Sequence, residues 1–139
     1  MKRALEFLRT HKEVAFATVG TDHKPKLRVF QIMKIEPTAL YFVTSPRKEV
    51  YRQLQADPAV EILAMAGDIS VRISGNACFD VTDETAREVY ESNPVLPRLY
   101  TRYTDLAYFR LPIAKLDYYD LSTDPPTLDS YTCEERIFR

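Results

Sequence analysis

The sequence contains no tryptophan and few of the residues that build metal sites or disulfide frameworks. Among its 139 residues are only two cysteines, Cys78 and Cys133, and two histidines, His11 and His23. The cysteines lie far apart and outside any Cys-x-x-Cys pattern, so we expect neither a zinc site nor a disulfide. One histidine is predicted at a helix end and the other in a turn, where histidines are usually solvent-exposed. We therefore expect no metal site.

Long hydrophobic runs and a strong excess of one charge are also absent. No apolar stretch approaches the roughly 20 residues that a membrane-spanning helix needs. Charged residues stand near the N-terminus where a signal peptide would be apolar, which predicts a cytoplasmic protein. The net charge is −1, whereas general nucleic-acid binding depends on a basic face that contacts many phosphates. We therefore expect neither membrane insertion nor nucleic-acid binding.

What is present fits one globular domain over residues 1–139, with a core at about 10–121 and a tail or dimer arm at 122–139. Hydrophobic residues make up 45% of the chain and charged residues 28%. The charges are distributed unevenly, with 11 lysines and arginines against 6 acids in residues 1–60, and 8 against 14 in residues 61–139. Any basic binding surface is therefore expected in the first half.

The apolar periodicity predicts strands and helices in a mixed order. Strands are predicted from alternating or continuous apolar patterns at 14–19, 27–35, 39–44, 59–65, 69–81 and 106–121. Helices are predicted at 2–11, from Ser45 to about Asp57, and from Thr82 to Asn93. Short connections favour antiparallel pairing, and Gly75 inside a strand indicates a bulge or a close backbone approach. The predicted fold is a β-barrel with peripheral helices of the α+β class, specifically a six-stranded antiparallel Greek-key split barrel.

The segment Thr44-Ser45-Pro46-Arg47-Lys48 stands out as a candidate anion site. Ser45 is a typical N-cap, and Pro46 suits the first position of a helix. Cations in a first helical turn are locally unfavourable unless an anion binds there. Arg28, on the preceding predicted strand, could add a forked pair of donors. These residues together suit a terminal phosphate, although each cation alone could equally be a solvated surface residue.

Three segments resemble the pyridoxamine 5′-phosphate oxidase family of FMN-binding split barrels. They are Arg28-Val29-Phe30-Gln31-Ile32-Met33, Tyr41-Phe42-Val43-Thr44-Ser45-Pro46-Arg47-Lys48 and Asp57-Pro58-Ala59-Val60. The resemblance spans about residues 10–120. It implies a homodimer that binds FMN at the subunit interface, with a small-molecule substrate or electron donor that the residues do not identify.

The resemblance also implies a set of cofactor-binding residues. Arg28 and Lys48 would bind the FMN phosphate, with help from Arg47 and Ser45. The flavin ring would be lined by residues of two neighbouring strands, namely Val29, Phe30, Gln31, Phe42, Val43 and Thr44. The resemblance indicates no catalytic side chain.

The chain departs from the oxidases of this family at two places. Ser70 stands where those oxidases have a glutamine that reaches the partner's flavin. Their C-terminal motif, a tryptophan followed by arginines, is missing. The expected function is therefore that of an FMN-dependent oxidoreductase other than a vitamin B6 oxidase.

Two further functions remain open from the sequence. The same barrel could hold a flavin, a deazaflavin, haem or another phosphate-bearing ligand without catalysis, for storage or sensing. It could also be a structural dimer with a vestigial groove.

A group of aromatic and arginine residues could stack on a planar ligand or pack at a dimer surface. They are Tyr100, Arg102, Tyr103 and Tyr108, with Arg98.

Overall fold

The structure, a computed structural model, describes residues 1–133. The helices are α1 (Lys2–Thr10), α2 (Glu49–Ala56), α3 (Asp83–Ser92) and α4 (Val95–Leu99), with a 3₁₀ turn at Tyr103–Asp105. The strands are β1 (Glu13–Val19), β2 (Pro25–Gln31), β3 (Lys34–Ile35), β4 (Ala39–Thr44), β5 (Ala59–Ala66), β6 (Ile69–Asn76), β7 (Ala107–Pro112), β8 (Lys115–Asp120) and β9 (Thr127–Thr132). No helix in this part of the chain is both long and apolar enough to cross a membrane.

The strands form two antiparallel sheets in an α+β architecture. The larger sheet has six strands in the order β2-β1-β5-β6-β8-β9, and the smaller has three in the order β3-β4-β7. An isolated bridge between Cys78 and Arg110 connects them beyond the end of β6. Within residues 1–133 the ladders do not close into a continuous barrel.

The hydrophobic core lies between the two sheets and is centred on phenylalanines. The Phe16 ring lies 4.6 Å from Phe30, 5.1 Å from Phe42 and 6.0 Å from Phe109, measured between centroids. Phe16, Phe42 and Phe109 are almost fully buried. Residues of even number in β1 face this core, and those of odd number face outward. This alternation gives the larger sheet an inner and an outer face.

Two predicted strands are each divided between the two sheets. The predicted strand 27–35 becomes β2 in the larger sheet and β3 in the smaller one. The predicted strand 106–121 becomes β7 and β8, which also belong to different sheets. A run of apolar alternation does not show where a chain crosses from one sheet to another, so the sequence predicted fewer strands.

The segment after residue 121 contains a strand that the sequence analysis did not predict. Strand β9 pairs antiparallel with β8 along its whole length, from Asp120 opposite Thr127 to Lys115 opposite Thr132. It therefore forms one edge of the larger sheet. The last part of the predicted tail, residues 134–139, lies outside the described residues.

Gly75 of β6 lies close to the backbone of β7 in the smaller sheet, as its place inside a strand predicted. A Cβ atom at this position would lie 2.3 Å from the Pro112 carbonyl oxygen and 3.1 Å from a Leu111 methyl carbon. We expect Gly75→Ala to lower the free energy of unfolding by about 1–3 kcal/mol, because backbone must shift to admit the methyl group. Chemical denaturation measures this loss.

Gly67 provides the control for that prediction. It has a positive φ of 58°, and a Cβ there would meet nothing within 4 Å. Asparagine tolerates this left-handed conformation, so Gly67→Asn should cost much less than Gly75→Ala. Equal losses for the two variants would contradict the close-approach explanation.

Candidate phosphate site

The cationic turn after β4 lies ahead of α2 and not inside its first turn. Helix α2 begins at Glu49 with Lys48 at its N-cap position, so the prediction that Ser45 caps the helix is wrong. Ser45 instead closes a tight turn: its hydroxyl accepts a hydrogen bond from the Arg47 amide at 3.2 Å, and its carbonyl accepts one from the Lys48 amide at 3.0 Å. Arg47 and Lys48 are exposed on this turn. The acidic residue of the first helical turn is Glu49, which suits the helix dipole.

Thr44, the last residue of β4, carries a buried hydroxyl without a hydrogen-bond partner. Thr44 is 4% exposed, and its Oγ1 is the buried side-chain polar atom within residues 1–133 that no other group satisfies. Burying an unpaired hydroxyl costs free energy. Thr44 directly precedes the Ser45–Lys48 turn in the chain.

Arg28 lies on the inner face of β2, opposite Phe16. Its guanidinium donates to the Phe16 carbonyl oxygen at 3.2 Å, to Thr18 Oγ1 at 2.7 Å and to Gln53 Oε1 at 2.8 Å. Burial lowers the pKa of Arg28, and the nearby Glu49 carboxylate opposes that shift. Arg28 is therefore held by both β1 and α2, close to the first turn of α2.

The three cations of the candidate site lack the ion pairs with carboxylates that most other arginines of the described chain form. Within residues 1–133, no carboxylate lies within ion-pair distance of Arg28, Arg47 or Lys48. Arg72 and Arg110, by contrast, pair with Asp117 at 2.9 Å and with Asp80 at 2.7 Å. The positive charge at the site is therefore available to an anion.

A cavity of about 570 Å³ adjoins the cationic turn. Its opposite wall comes from α4 and the residues that follow, and the lining residues are Ser45, Pro46, Arg47, Lys48, Leu99, Tyr100, Thr101, Arg102 and Asp105. Tyr100 and Arg102, which the sequence analysis suggested as ligand contacts, thus face the turn, whereas Arg28 does not line this cavity. Tyr103 and Tyr108 instead serve local packing, since Tyr103 binds Asp83 and Tyr108 donates to the Tyr103 carbonyl.

The predicted ring-lining residues point in different directions. Phe30 and Phe42 pack in the aromatic core, so their side chains are committed to the fold. Val43 packs against a small cluster that includes Val89, Leu96 and Leu106. Val29 lies on the outer face with 68% of its surface exposed, and Gln31 borders a cavity at the start of β1.

The sequence analysis missed Thr18 and Gln53, which bind Arg28. Both are polar and 3% exposed. One signal was available for Gln53: it occupies the buried stripe of α2 between Val50 and Leu54, where an apolar residue is expected. No comparable signal exists for Thr18, because threonine is common in buried strands.

One protein-family model covers most of the chain. The model of pyridoxamine 5′-phosphate oxidase matches residues 1–115. The chain belongs to the pyridoxamine 5′-phosphate oxidase family. This confirms the resemblance proposed from the Arg28 strand and the Thr44–Lys48 segment.

Several solved structures share the fold. A NimC/NimA family protein from Clostridium acetobutylicum is 25% identical, with a TM-score of 0.75, and the match covers 96% of this chain and 92% of that one. A pyridoxamine 5′-phosphate oxidase-related, FMN-binding protein from Nostoc punctiforme is 16% identical, with a TM-score of 0.71 and coverage of 97% and 89%. A haem-binding protein from Mycobacterium smegmatis is 20% identical, with a TM-score of 0.73 and coverage of 93% and 56%. No curated protein matches the chain significantly.

Proposed function

We propose that this member of the pyridoxamine 5′-phosphate oxidase family is a cytoplasmic, FMN-binding homodimer that acts as an oxidoreductase. The observation that carries the proposal is the unpartnered, buried Thr44 hydroxyl next to the cationic Ser45–Lys48 turn. A hydroxyl donor beside unpaired cations suits a phosphate monoester, which offers several acceptor oxygens and negative charge. The FMN-binding neighbour of the same fold supports flavin as the bearer of that phosphate.

The residues divide between the two ends of the cofactor. Arg28, Lys48, Arg47, Ser45 and the Thr44 hydroxyl would hold the phosphate. Strand β2 would serve the ring, because within residues 1–133 it pairs only with β1. Its unpaired edge leaves backbone donors and acceptors of Val29–Gln31 for a heterocycle. FMN itself would supply electron or hydride transfer, so the protein needs only to bind and orient it.

The homodimer is proposed from an apolar patch on the outer face of the larger sheet. This outer apolar patch consists of Leu27, Val29, Leu63 and Met65 together with Ala15 and Ala17 of β1. Ala15 lies between Val29 and Leu63, and Ala17 lies between Leu27 and Glu61. Val29 and Met65 are 68% and 72% exposed. Contiguous apolar surface of this kind is typical of an interaction site. A second copy of the chain would cover it, and the two sheets of each copy would form the halves of a split barrel.

The proposed substrate is a molecule other than pyridoxamine 5′-phosphate. The chain has no tryptophan, so it lacks the tryptophan-arginine motif that the resemblance associates with that substrate. A second candidate function, binding of haem without catalysis, is supported by the haem-binding neighbour. Reduction of the bound chromophore by a nicotinamide donor, followed by turnover of an acceptor, would distinguish an oxidoreductase from a binding protein. The visible spectrum of the purified protein would distinguish flavin from haem.

Binding of FMN and riboflavin tests the phosphate assignment. We expect Arg28→Ala and Lys48→Ala each to weaken FMN binding by about 10- to 100-fold, the range for one charge-assisted hydrogen bond. Riboflavin lacks the phosphate, so its affinity should change little. Quenching of flavin fluorescence on titration measures both dissociation constants.

Lys24→Ala is the matched control for that titration. Lys24 is exposed on the β1–β2 hairpin, and its side chain forms no ion pair with another residue in the range 1–133. It should leave both affinities unchanged. Equal losses for FMN and riboflavin in the Arg28 and Lys48 variants would refute the phosphate assignment. A wild-type protein that binds neither flavin would refute the proposed function.

A further inference from the structure

Thr18, Gln53 and Arg28 form a closed triangle of hydrogen bonds between β1, β2 and α2. Thr18 Oγ1 accepts from Arg28 Nη1 at 2.7 Å and donates to Gln53 Oε1 at 2.7 Å. Gln53 Oε1 also accepts from Arg28 Nη2 at 2.8 Å. The single hydroxyl hydrogen of Thr18 forms the hydrogen bond to Gln53 Oε1. Thr18 Oγ1 can therefore interact with the Arg28 guanidinium only as an acceptor. The direction of every bond in the triangle is thereby determined.

The acceptors that surround Arg28 are all electrically neutral. They are a threonine hydroxyl, a glutamine carbonyl and the Phe16 backbone carbonyl. They occupy three of the five N–H donors of the guanidinium. One donor on Nη2 and the Nε–H donor remain, and the positive charge is not cancelled by a bonded carboxylate. This arrangement fixes the position of the group and preserves its charge.

We propose that Thr18 and Gln53 are positioning residues that hold the Arg28 guanidinium for recognition of the flavin phosphate. The inference rests on the proposed function and adds two residues that neither the family resemblance nor the cationic turn indicates. Arginine loses conformational entropy when it binds a ligand in one orientation. Because the triangle restricts the side chain before the ligand arrives, binding loses less of that entropy. Both positioning residues are buried, so neither needs to contact the ligand.

The test compares isosteric and conservative variants in two backgrounds. Thr18→Val and Gln53→Leu each remove acceptors of Arg28 while keeping a side chain of similar size. We expect each to weaken FMN binding by up to about tenfold, the entropy of immobilising one flexible side chain on binding, with little change for riboflavin. Thr18→Ser keeps the hydroxyl and should restore FMN affinity to within about twofold of wild type. In the Arg28→Ala background, Thr18→Val and Gln53→Leu should have no further effect on the ratio of the two affinities.

A second measurement reports on Arg28 without any flavin. Side-chain NMR of arginine guanidinium groups should show slow rotation about the Cζ–Nη bonds of Arg28 in the wild type and faster rotation in Thr18→Val and Gln53→Leu. Equal weakening of FMN and riboflavin would indicate a structural role only and overturn the inference. An unchanged FMN-to-riboflavin ratio, or unchanged rotation, would also overturn it. Arg28→Ala could weaken FMN binding more than riboflavin binding while the Thr18 and Gln53 variants do not. In that case the inference fails and the proposed function stands.

Discussion

Replacing Phe16 with alanine is expected to lower the free energy of unfolding by about 3–5 kcal/mol, the range for truncating a fully buried phenylalanine. Phe16 is fully buried and its ring contacts those of Phe30, Phe42 and Phe109. These contacts connect β1 and β2 of the larger sheet with β4 and β7 of the smaller one. The variant would lose the buried surface and leave a cavity between sheets that ladders do not fully join. Urea denaturation followed by circular dichroism measures the loss.

Leu99→Ala is the control for the loss of a large apolar side chain. Leu99 is 64% exposed at the end of α4, so its removal should change the unfolding free energy by less than about 0.5 kcal/mol. If Phe16→Ala cost no more than Leu99→Ala, the aromatic cluster would not be the main connection between the sheets. The same cluster fixes β1 beside β2, which places the Phe16 carbonyl and Thr18 next to Arg28. Core packing and the phosphate site thus depend on the same strand.

The local elements that the sequence predicted correctly are those with a local physical cause. Helix α3 begins directly after Thr82, where its start was predicted, because the Thr82 hydroxyl caps it by accepting from the Thr85 amide. The strand of Gly75 approaches another backbone, as a glycine inside a strand indicated. The predicted start of α2 was wrong because the Ser45 hydroxyl can either cap a helix or close a turn, and in the structure it closes a turn. A serine followed by proline suits a helix cap and a tight turn equally well.

The candidate site divides in the same way between local and long-range causes. Thr44 and the Ser45–Lys48 turn were recognisable because they are consecutive in the chain. Arg28, on an earlier strand, was proposed from its forked donors and from the family resemblance. The contact between Thr18 and Gln53 joins residues 35 positions apart, and it depends on how α2 packs against β1. The division of two predicted strands between sheets has the same origin. Such features arise from tertiary packing, which apolar periodicity does not record.

Introducing lysines at Val29 and Leu63 is expected to convert a dimer into monomers. These residues lie in one row across the outer apolar patch, on either side of Ala15. In an interface each lysine would have to lose its hydration without a partner, which costs several kcal/mol per charge. Exposed in a monomer, both would be tolerated. Sedimentation equilibrium should therefore give twice the protomer mass of 16.1 kDa for the wild type and the protomer mass for Val29→Lys/Leu63→Lys.

The double variant Gln55→Lys/Ser92→Lys separates the effect of the interface from that of added charge. Gln55 and Ser92 are exposed on α2 and α3, so this variant has the same net charge as Val29→Lys/Leu63→Lys and should remain dimeric. Since the outer apolar patch includes Val29 of β2, whose edge is proposed to bind the ring, the monomeric variant should also bind riboflavin more weakly. A phosphate site confined to one chain would keep part of the preference for FMN over riboflavin in the monomer. A wild-type monomer, or a lysine variant that remains dimeric, would refute the assignment of this patch to the subunit interface.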